Sequence, residues 1–147
     1  MDPGDLRVRN ITYRLFVDSG AAPTVDDVAA AAQLAPEEIA GSWTRLHDGH
    51  ALVLDPSGTT IRMANPFSAV ATPHRVQAAG RRWYANCAWD AFGICAALHT
   101  DGTIVTTCPD CNDDITIVVK DRRPGPRAAV FHCLVPASSW WDDIGFT

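Results

Sequence analysis

Two side chains with complementary chemistry, Cys87 and Asp90, lie three residues apart in an apolar stretch of the sequence. Because three residues make nearly one turn of an α-helix, a helix here would place the thiol and the carboxyl on one face. Asn86 is a suitable N-cap for that helix, and Cys87 would then lie in the first turn, where the helix dipole favours a thiolate. The segment therefore predicts a soft nucleophile beside a proton carrier.

The cysteines are five in number and all lie in the second half of the chain: Cys87, Cys95, Cys108, Cys111 and Cys133. The amino-terminal residues do not have the pattern of an export signal, so we interpret the cysteines as thiols of a reducing compartment. Cys95 lies two turns beyond Cys87 on the predicted helix, and we expect it to be a core residue. Cys133 lies in an apolar segment and is the better candidate for a second thiol beside Cys87, although core packing is the favoured prediction.

Cys108 and Cys111 form a CxxC pair in a predicted turn between strands. That spacing can bind zinc or act as a redox pair. A structural zinc site needs two further ligands, and the sequence contains no second CxxC and no paired histidine motif. The spacing alone leaves the role of the pair open.

The chain has 147 residues and a net charge of −5, with a pI near 5.3. This length suits one compact domain, or a small helical lobe joined to a sheet lobe. The acidic balance disfavours nucleic acid and anionic membrane surfaces as partners. Without an apolar run long enough to span a membrane, the expected location is the cytoplasm.

The first lobe, residues 1–65, is predicted to be helical. Helical spacing of apolar residues covers 6–17, Thr24 opens a second helix with a capping-box pattern, and Pro36 opens a third. Residues 50–54 and 59–63 flank a turn and predict a hairpin, which completes a winged-helix outline. DNA binding is disfavoured, because the would-be recognition helix has a single arginine and two glutamates.

The second lobe, residues 66–147, is predicted to be a mixed β-sheet with one central helix that carries the active site. A hairpin over 74–78 and 81–84 leads into the helix over 86–98. Strands are predicted over 103–107, 115–119 and 128–135. The fold class is therefore α+β.

Residues 82–90, with the sequence RWYANCAWD, resemble the active-site segment of the alkylmercury lyase (organomercurial lyase, MerB-like) family. Weaker similarities to the family accompany it: PFSAV at 66–70, CPDC at 108–111, VPA at 135–137 and WWDDI at 140–144. The resemblance extends from about Ile11 to the carboxyl end. It implies cleavage of a carbon–mercury bond by protonation of carbon, with no cofactor.

Two residues take their roles from this resemblance. Cys87 matches the cysteine that captures the organomercurial, and soft mercury favours a thiolate ligand. Asp90 matches the aspartate that takes the thiol proton, also contacts the metal, and delivers the proton to the departing carbon. Burial would favour its protonated form. The implied partners are a small organomercurial substrate, cellular thiols that remove the product, and a mercuric reductase.

The family's second metal-gripping cysteine is expected just after the position of Thr147, where this sequence ends. We therefore expect the chain to lack the carboxyl-terminal end of the family, with three alternatives: a shortened form, replacement by another thiol, or loss of catalysis. Cys108 corresponds to a structural cysteine of the family, which favours a packing role with incidental mercury binding. The main rival function is a non-catalytic mercury or organometal binding protein or sensor, and a DNA-binding regulator is the third.

Overall fold

The computed structural model describes residues 1–125 and 130–145. Its first part contains three helices: α1 (Pro3–Ser19), α2 (Val25–Ala32) and α3 (Pro36–Asp48). The predicted capping box at Thr24 is confirmed, since the Asp27 backbone N–H donates to Thr24 Oγ1 at 3.1 Å and the Thr24 N–H donates to Asp27 Oδ2 at 2.8 Å. Helix α1 ends at Gly20, whose φ of 79° lies in the left-handed region.

Eight strands follow, and in the described residues they form one sheet in the order β1-β2-β3-β5-β4-β6-β7-β8. Their bounds are β1 (Val53–Leu54), β2 (Ile61–Ala64), β3 (Phe67–Ser68), β4 (Arg75–Ala78), β5 (Arg81–Ala85), β6 (Gly102–Thr107), β7 (Asp114–Lys120) and β8 (Arg123–Pro124). Every pairing described is antiparallel. The α+β class is confirmed, but the sheet is antiparallel rather than mixed, because neighbouring strands are joined mainly by short turns.

Both predicted hairpins are present, as β1 with β2 and as β4 with β5. Strand β3 pairs with β2 on one side and β5 on the other, so the hairpin that follows the helices is part of the same sheet as the active-site region. The ring of Phe67 in β3 lies between Phe16 of α1 and Trp83 of β5, at centroid distances of 5.5 and 6.0 Å. One buried apolar cluster therefore runs from the helices into the sheet.

Helix α4 (Ala88–Ala97) packs against β4, β5 and β6. Its N-cap is Cys87, with extended backbone angles of φ −146° and ψ −179°. The prediction that Asn86 is the N-cap is therefore wrong by one residue. The Ala91 N–H donates to the Cys87 carbonyl at 3.1 Å, which starts the helical hydrogen bonding one residue later than expected.

The predicted strand over 128–135 is also wrong where it can be compared: residues 130–135 are irregular, while 128 and 129 lie outside the described residues. The alternation of apolar residues is real, but these residues line a cavity instead of pairing with the sheet. The end of β7 is already paired with β8. A 3₁₀ helix, Ala137–Ser139, follows this segment.

None of the helices in the described part of the chain has the length and apolarity needed to cross a lipid bilayer.

Candidate active site

Cys87 lies where β5 leads into α4, and its side chain is half-buried. Burial raises the pKa of this thiol, while the backbone N–H groups of Asp90 and Trp89, at the start of the helix, lower it. The effect of burial is larger, and the negative charge of Asp90 adds to it. The helix terminus therefore acts in the predicted direction, toward a thiolate, but burial has the larger effect on the pKa of Cys87.

Asp90 lies one turn along from Cys87, and the two side chains interact directly. Burial raises the pKa of Asp90, although the Asn86 amide and the Cys87 thiol both lower it by hydrogen bonding to the carboxylate. Asn86 Nδ2 donates to Asp90 Oδ2 at 3.0 Å and to Asn65 Oδ1 at 3.0 Å. The expected tendency of Asp90 to hold a proton agrees with this direction, and an amide pair orients its carboxyl group.

Tyr13 of helix α1 lies within electrostatic range of Asp90, which the sequence did not indicate. The negative charge of Asp90 raises the pKa of Tyr13, although burial of the phenol contributes more. Tyr13 Oη donates to the Ala51 carbonyl at 3.1 Å. Asp90 thus lies beside an amide pair drawn from the turn before β3 and the start of α4, and its charge also influences Tyr13 of α1. Three such distant segments share no local pattern that sequence reasoning could detect.

Cys87 opens onto a cavity of about 380 Å³ with mainly apolar walls. Three cysteines line it, namely Cys87, Cys108 and Cys133, together with apolar side chains such as Phe92 and Trp140. Asp90 is not among the described residues that line this cavity. The thiol thus faces the cavity while the carboxyl lies behind it, toward Asn86.

His74 also lines the cavity, and its Nδ1 lies 2.7 Å from Thr106 Oγ1. Burial lowers the pKa of this histidine, which favours the neutral imidazole. The sequence assigned no role to His74, since it belongs to no metal-like spacing.

The remaining cysteines differ in environment. Cys95 is 3% exposed, which confirms the expected core position. Cys133 is exposed, so the core packing favoured for it is wrong, and its thiol donates to the Val135 carbonyl at 3.2 Å. Within the described residues, no group of three or more histidine, cysteine and acidic side chains has the geometry to hold a metal ion.

Cys108 and Cys111 lie in the turn between β6 and β7 and influence each other. The backbone N–H of Cys111, then that of Asp110, and then the Cys111 side chain lower the pKa of Cys108. For Cys111, the Asp113 backbone N–H lowers the pKa, but the side chains of Cys108 and Asp113 raise it above its ordinary value. The CxxC pair is therefore polarised, with Cys108 the more acidic thiol.

Fold and site together define an α+β protein in which a cysteine and an aspartate meet at the start of a helix, beside an apolar cavity. The alkylmercury lyase (MerB) family model matches residues 67–147, more than half of the chain, and the chain belongs to this family.

Among solved structures, the chain is similar to the one described as the mercury-bound form of MerB2, with a TM-score of 0.66 and 17% sequence identity. The similarity covers 86% of this chain and 60% of that one, so this chain spans less than two thirds of its length. At this identity the likeness concerns the fold. No curated protein sequence matches the chain.

Proposed function

We propose that this protein is an organomercurial lyase that cleaves a carbon–mercury bond by protonolysis, giving a hydrocarbon and Hg(II). Family membership supports the reaction class. The observation that carries the proposal is the contact between Cys87 and Asp90, two groups whose pKa values are both raised by burial, at the edge of an apolar cavity. The cavity walls suit an alkyl or aryl group, and a thiol suits its soft metal.

In the first step, the Cys87 sulfur replaces an external thiolate on the organomercurial R–Hg–SR′, so the bond from mercury to that thiolate breaks as the bond to Cys87 forms. The Cys87 proton passes to the neighbouring carboxylate of Asp90, and the external thiolate leaves. The raised pKa of Asp90 helps this transfer, because a carboxylate in a dry site accepts a proton more readily. In the second step, the protonated Asp90 delivers that proton to the mercury-bound carbon. The carbon–mercury bond breaks, the hydrocarbon leaves, and Hg(II) stays on the sulfur until other thiols remove it.

Asn86 and Asn65 act as positioning residues in this mechanism. Asn86 Nδ2 donates to Asp90 Oδ2 at 3.0 Å and so fixes the orientation of the carboxyl group beside the thiol. The Asn86–Asn65 contact, also 3.0 Å, ties this amide to the segment before β3.

The second candidate is a mercury or organometal binding protein without lyase activity. One observation favours it: Asp90 lies outside the set of residues that line the cavity, whereas three thiols lie within it. A protein built only to bind would use Cys87 as a ligand and would not require a proton donor at Asp90.

The deciding experiment is incubation of the protein with phenylmercury and excess thiol, followed by measurement of benzene. A lyase releases benzene, and the variants Cys87→Ala and Asp90→Ala lose this activity, while the surface control Asp48→Asn retains it. If the wild-type protein retains mercury stoichiometrically through Cys87 but releases no benzene, the binding function is correct instead.

We also propose the wider setting that the family suggests: detoxification in the cytoplasm, with cellular thiols and a mercuric reductase receiving the product. In this proposal residues 1–65 form a winged-helix-like lobe that supports a catalytic lobe, residues 66–147. The acidic charge of the chain makes a role in DNA binding a poor alternative.

A further inference from the structure

We propose that Cys108 and Cys111 form a dithiol site for Hg(II), which receives the ion from Cys87 through the cavity that Cys87 and Cys108 share. The transfer rests on the proposed lyase or binding function for its source of mercury. The dithiol site itself does not, because it can be loaded directly with inorganic Hg(II).

The turn between β6 and β7 brings the two thiols together. Cys108 follows β6 directly, and its N–H donates to the Asp113 carbonyl at 2.9 Å, which closes the hairpin. The Asn112 N–H donates to the Cys108 carbonyl at 2.9 Å, so residues 108–112 form one helical turn. Side chains three residues apart in such a turn lie on the same side. The geometry therefore pairs the sulfurs of Cys108 and Cys111.

The position of the pair connects the cavity with solvent. Cys108 is half-buried and lines the same cavity as Cys87, whereas Cys111 is exposed and outside the described cavity lining. A metal ion held by both thiols would lie at the cavity wall, accessible to an external thiol. Such a location suits a product on its way out of the site.

The chemistry of the pair fits a soft cation that is satisfied by two thiolates. Backbone N–H groups of Asp110 and Cys111 face the Cys108 sulfur and lower its pKa, so the turn stabilises the Cys108 thiolate. The Asp113 N–H faces the Cys111 sulfur, but the side chains of Cys108 and Asp113 raise the pKa of Cys111, so this thiol loses its proton only when a metal ion binds. Zinc in a structural site takes four ligands, and no cluster of three or more metal-binding side chains occurs in the described residues. Two thiolates suffice for Hg(II), and thiolates are its preferred ligands.

The transfer is a ligand exchange without oxidation or reduction. The bond from mercury to Cys87 breaks, as does its bond to any exogenous ligand, and two bonds form to the sulfurs of Cys108 and Cys111. These two thiols lose their protons; one proton returns to the Cys87 thiolate and the other leaves with the exogenous ligand. Mercury remains Hg(II) throughout.

The first arm of the test uses mercuric chloride on the full chain in a Cys87→Ser background, which removes the proposed lyase site. One equivalent of Hg(II) should protect Cys108 and Cys111 together from iodoacetamide, as seen by mass spectrometry, while Cys133 is alkylated. Adding Cys111→Ser should weaken retention of mercury against glutathione at least tenfold. The matched change Cys133→Ser, at an exposed cysteine that lines the cavity, should not.

Alkylation of Cys108 and Cys111 at the metal-free rate would overturn the site, and so would equal retention in the Cys111→Ser and Cys133→Ser variants. The second arm loads wild-type protein with phenylmercury and follows protection over time. We expect protection to move from Cys87 to the CxxC pair as benzene appears. If benzene appears but Cys87 alone stays protected from alkylation, the proposed transfer of mercury to the CxxC pair is wrong. If no benzene appears, the lyase function fails, and the first arm still decides whether the dithiol site exists.

Discussion

Replacement of Asp90 by asparagine separates proton transfer from structure at the candidate site. The amide has the same shape as the carboxyl group, and its oxygen can still accept the hydrogen bond that Asn86 Nδ2 now donates at 3.0 Å. It cannot take the Cys87 proton or deliver one to carbon. The Asp90→Asn variant should therefore fold normally, capture phenylmercury and release little benzene.

The expected decrease in the rate of benzene release follows from the role of Asp90 as a proton carrier. A positioned general acid or base accelerates a reaction by about 10²–10⁴-fold, equivalent to about 3–5 kcal/mol in the barrier at roughly 1.4 kcal/mol per tenfold. The structural cost is much smaller, since one hydrogen bond to Asn86 contributes about 1 kcal/mol and is largely retained. We therefore expect benzene release to slow by about two to four orders of magnitude, while the free energy of unfolding changes by no more than about 1 kcal/mol.

The assay is benzene release under single-turnover conditions, with stoichiometric capture of phenylmercury measured on the same sample. Asp48→Asn provides the control, because Asp48 is an exposed aspartate at the far end of α3. A decrease of less than tenfold in Asp90→Asn would refute the assignment of Asp90 as the proton carrier. Loss of capture together with turnover would instead mean that Asp90 is needed to hold the metal.

The same variant has a defined signature in pH-dependent stability. Because burial raises the folded-state pKa of Asp90 above the ordinary 3.8, the protonated carboxyl is favoured in the folded protein. Its contribution to stability is complete below that ordinary pKa and is lost as pH rises through the raised one. In urea unfolding, Asp90→Asn should therefore gain stability relative to the wild type as pH increases across this window; a constant difference would contradict the raised pKa.

Three further outcomes follow from the site and its surroundings. Asn86→Ala removes a hydrogen bond that stabilises the Asp90 carboxylate, so the pKa of Asp90 should rise. The pH profile of benzene release should then move to higher pH, and an unchanged profile would exclude this positioning role. The raised pKa of Cys87 predicts slow alkylation by iodoacetamide at neutral pH that accelerates as the thiolate forms, and a rate independent of pH would show a resting thiolate instead. Gly102→Ala should lower the free energy of unfolding by about 1–3 kcal/mol, because the added Cβ would lie 2.9 Å from the Cys95 Sγ. In the double variant Gly102→Ala/Cys95→Ala this loss should be smaller than the sum of the two single losses. If the two losses simply add, the predicted contact is wrong.

Local signals in the sequence predicted much of the fold correctly. The capping box at Thr24 and the proline at Pro36 marked the starts of α2 and α3. The hairpins were predicted from strand periodicity with turn residues. These features depend on hydrogen bonds and backbone angles within a few residues, so the local sequence contains the necessary information.

The errors arose where a longer-range partner was needed. Residues 130–135 have the alternation of a strand, but whether a sheet edge is available depends on what β7 pairs with. The same limit affected Cys133, which was expected in the core and lies exposed at the cavity. Antiparallel pairing of every described strand likewise required the register of the whole sheet.

The sequence by itself determined that Cys87 and Asp90 are neighbours, because their spacing is close to one helical turn. Only the tertiary structure decided the direction of their pKa shifts, since burial by other elements raises both pKa values and outweighs the local effect of the helix terminus on the thiol. Folding also brought Asn65 to Asn86 and placed Cys108 at the cavity of Cys87. Spacing along a helix is a local property of the chain, whereas desolvation and cavity walls depend on segments that meet only when the sheet is complete.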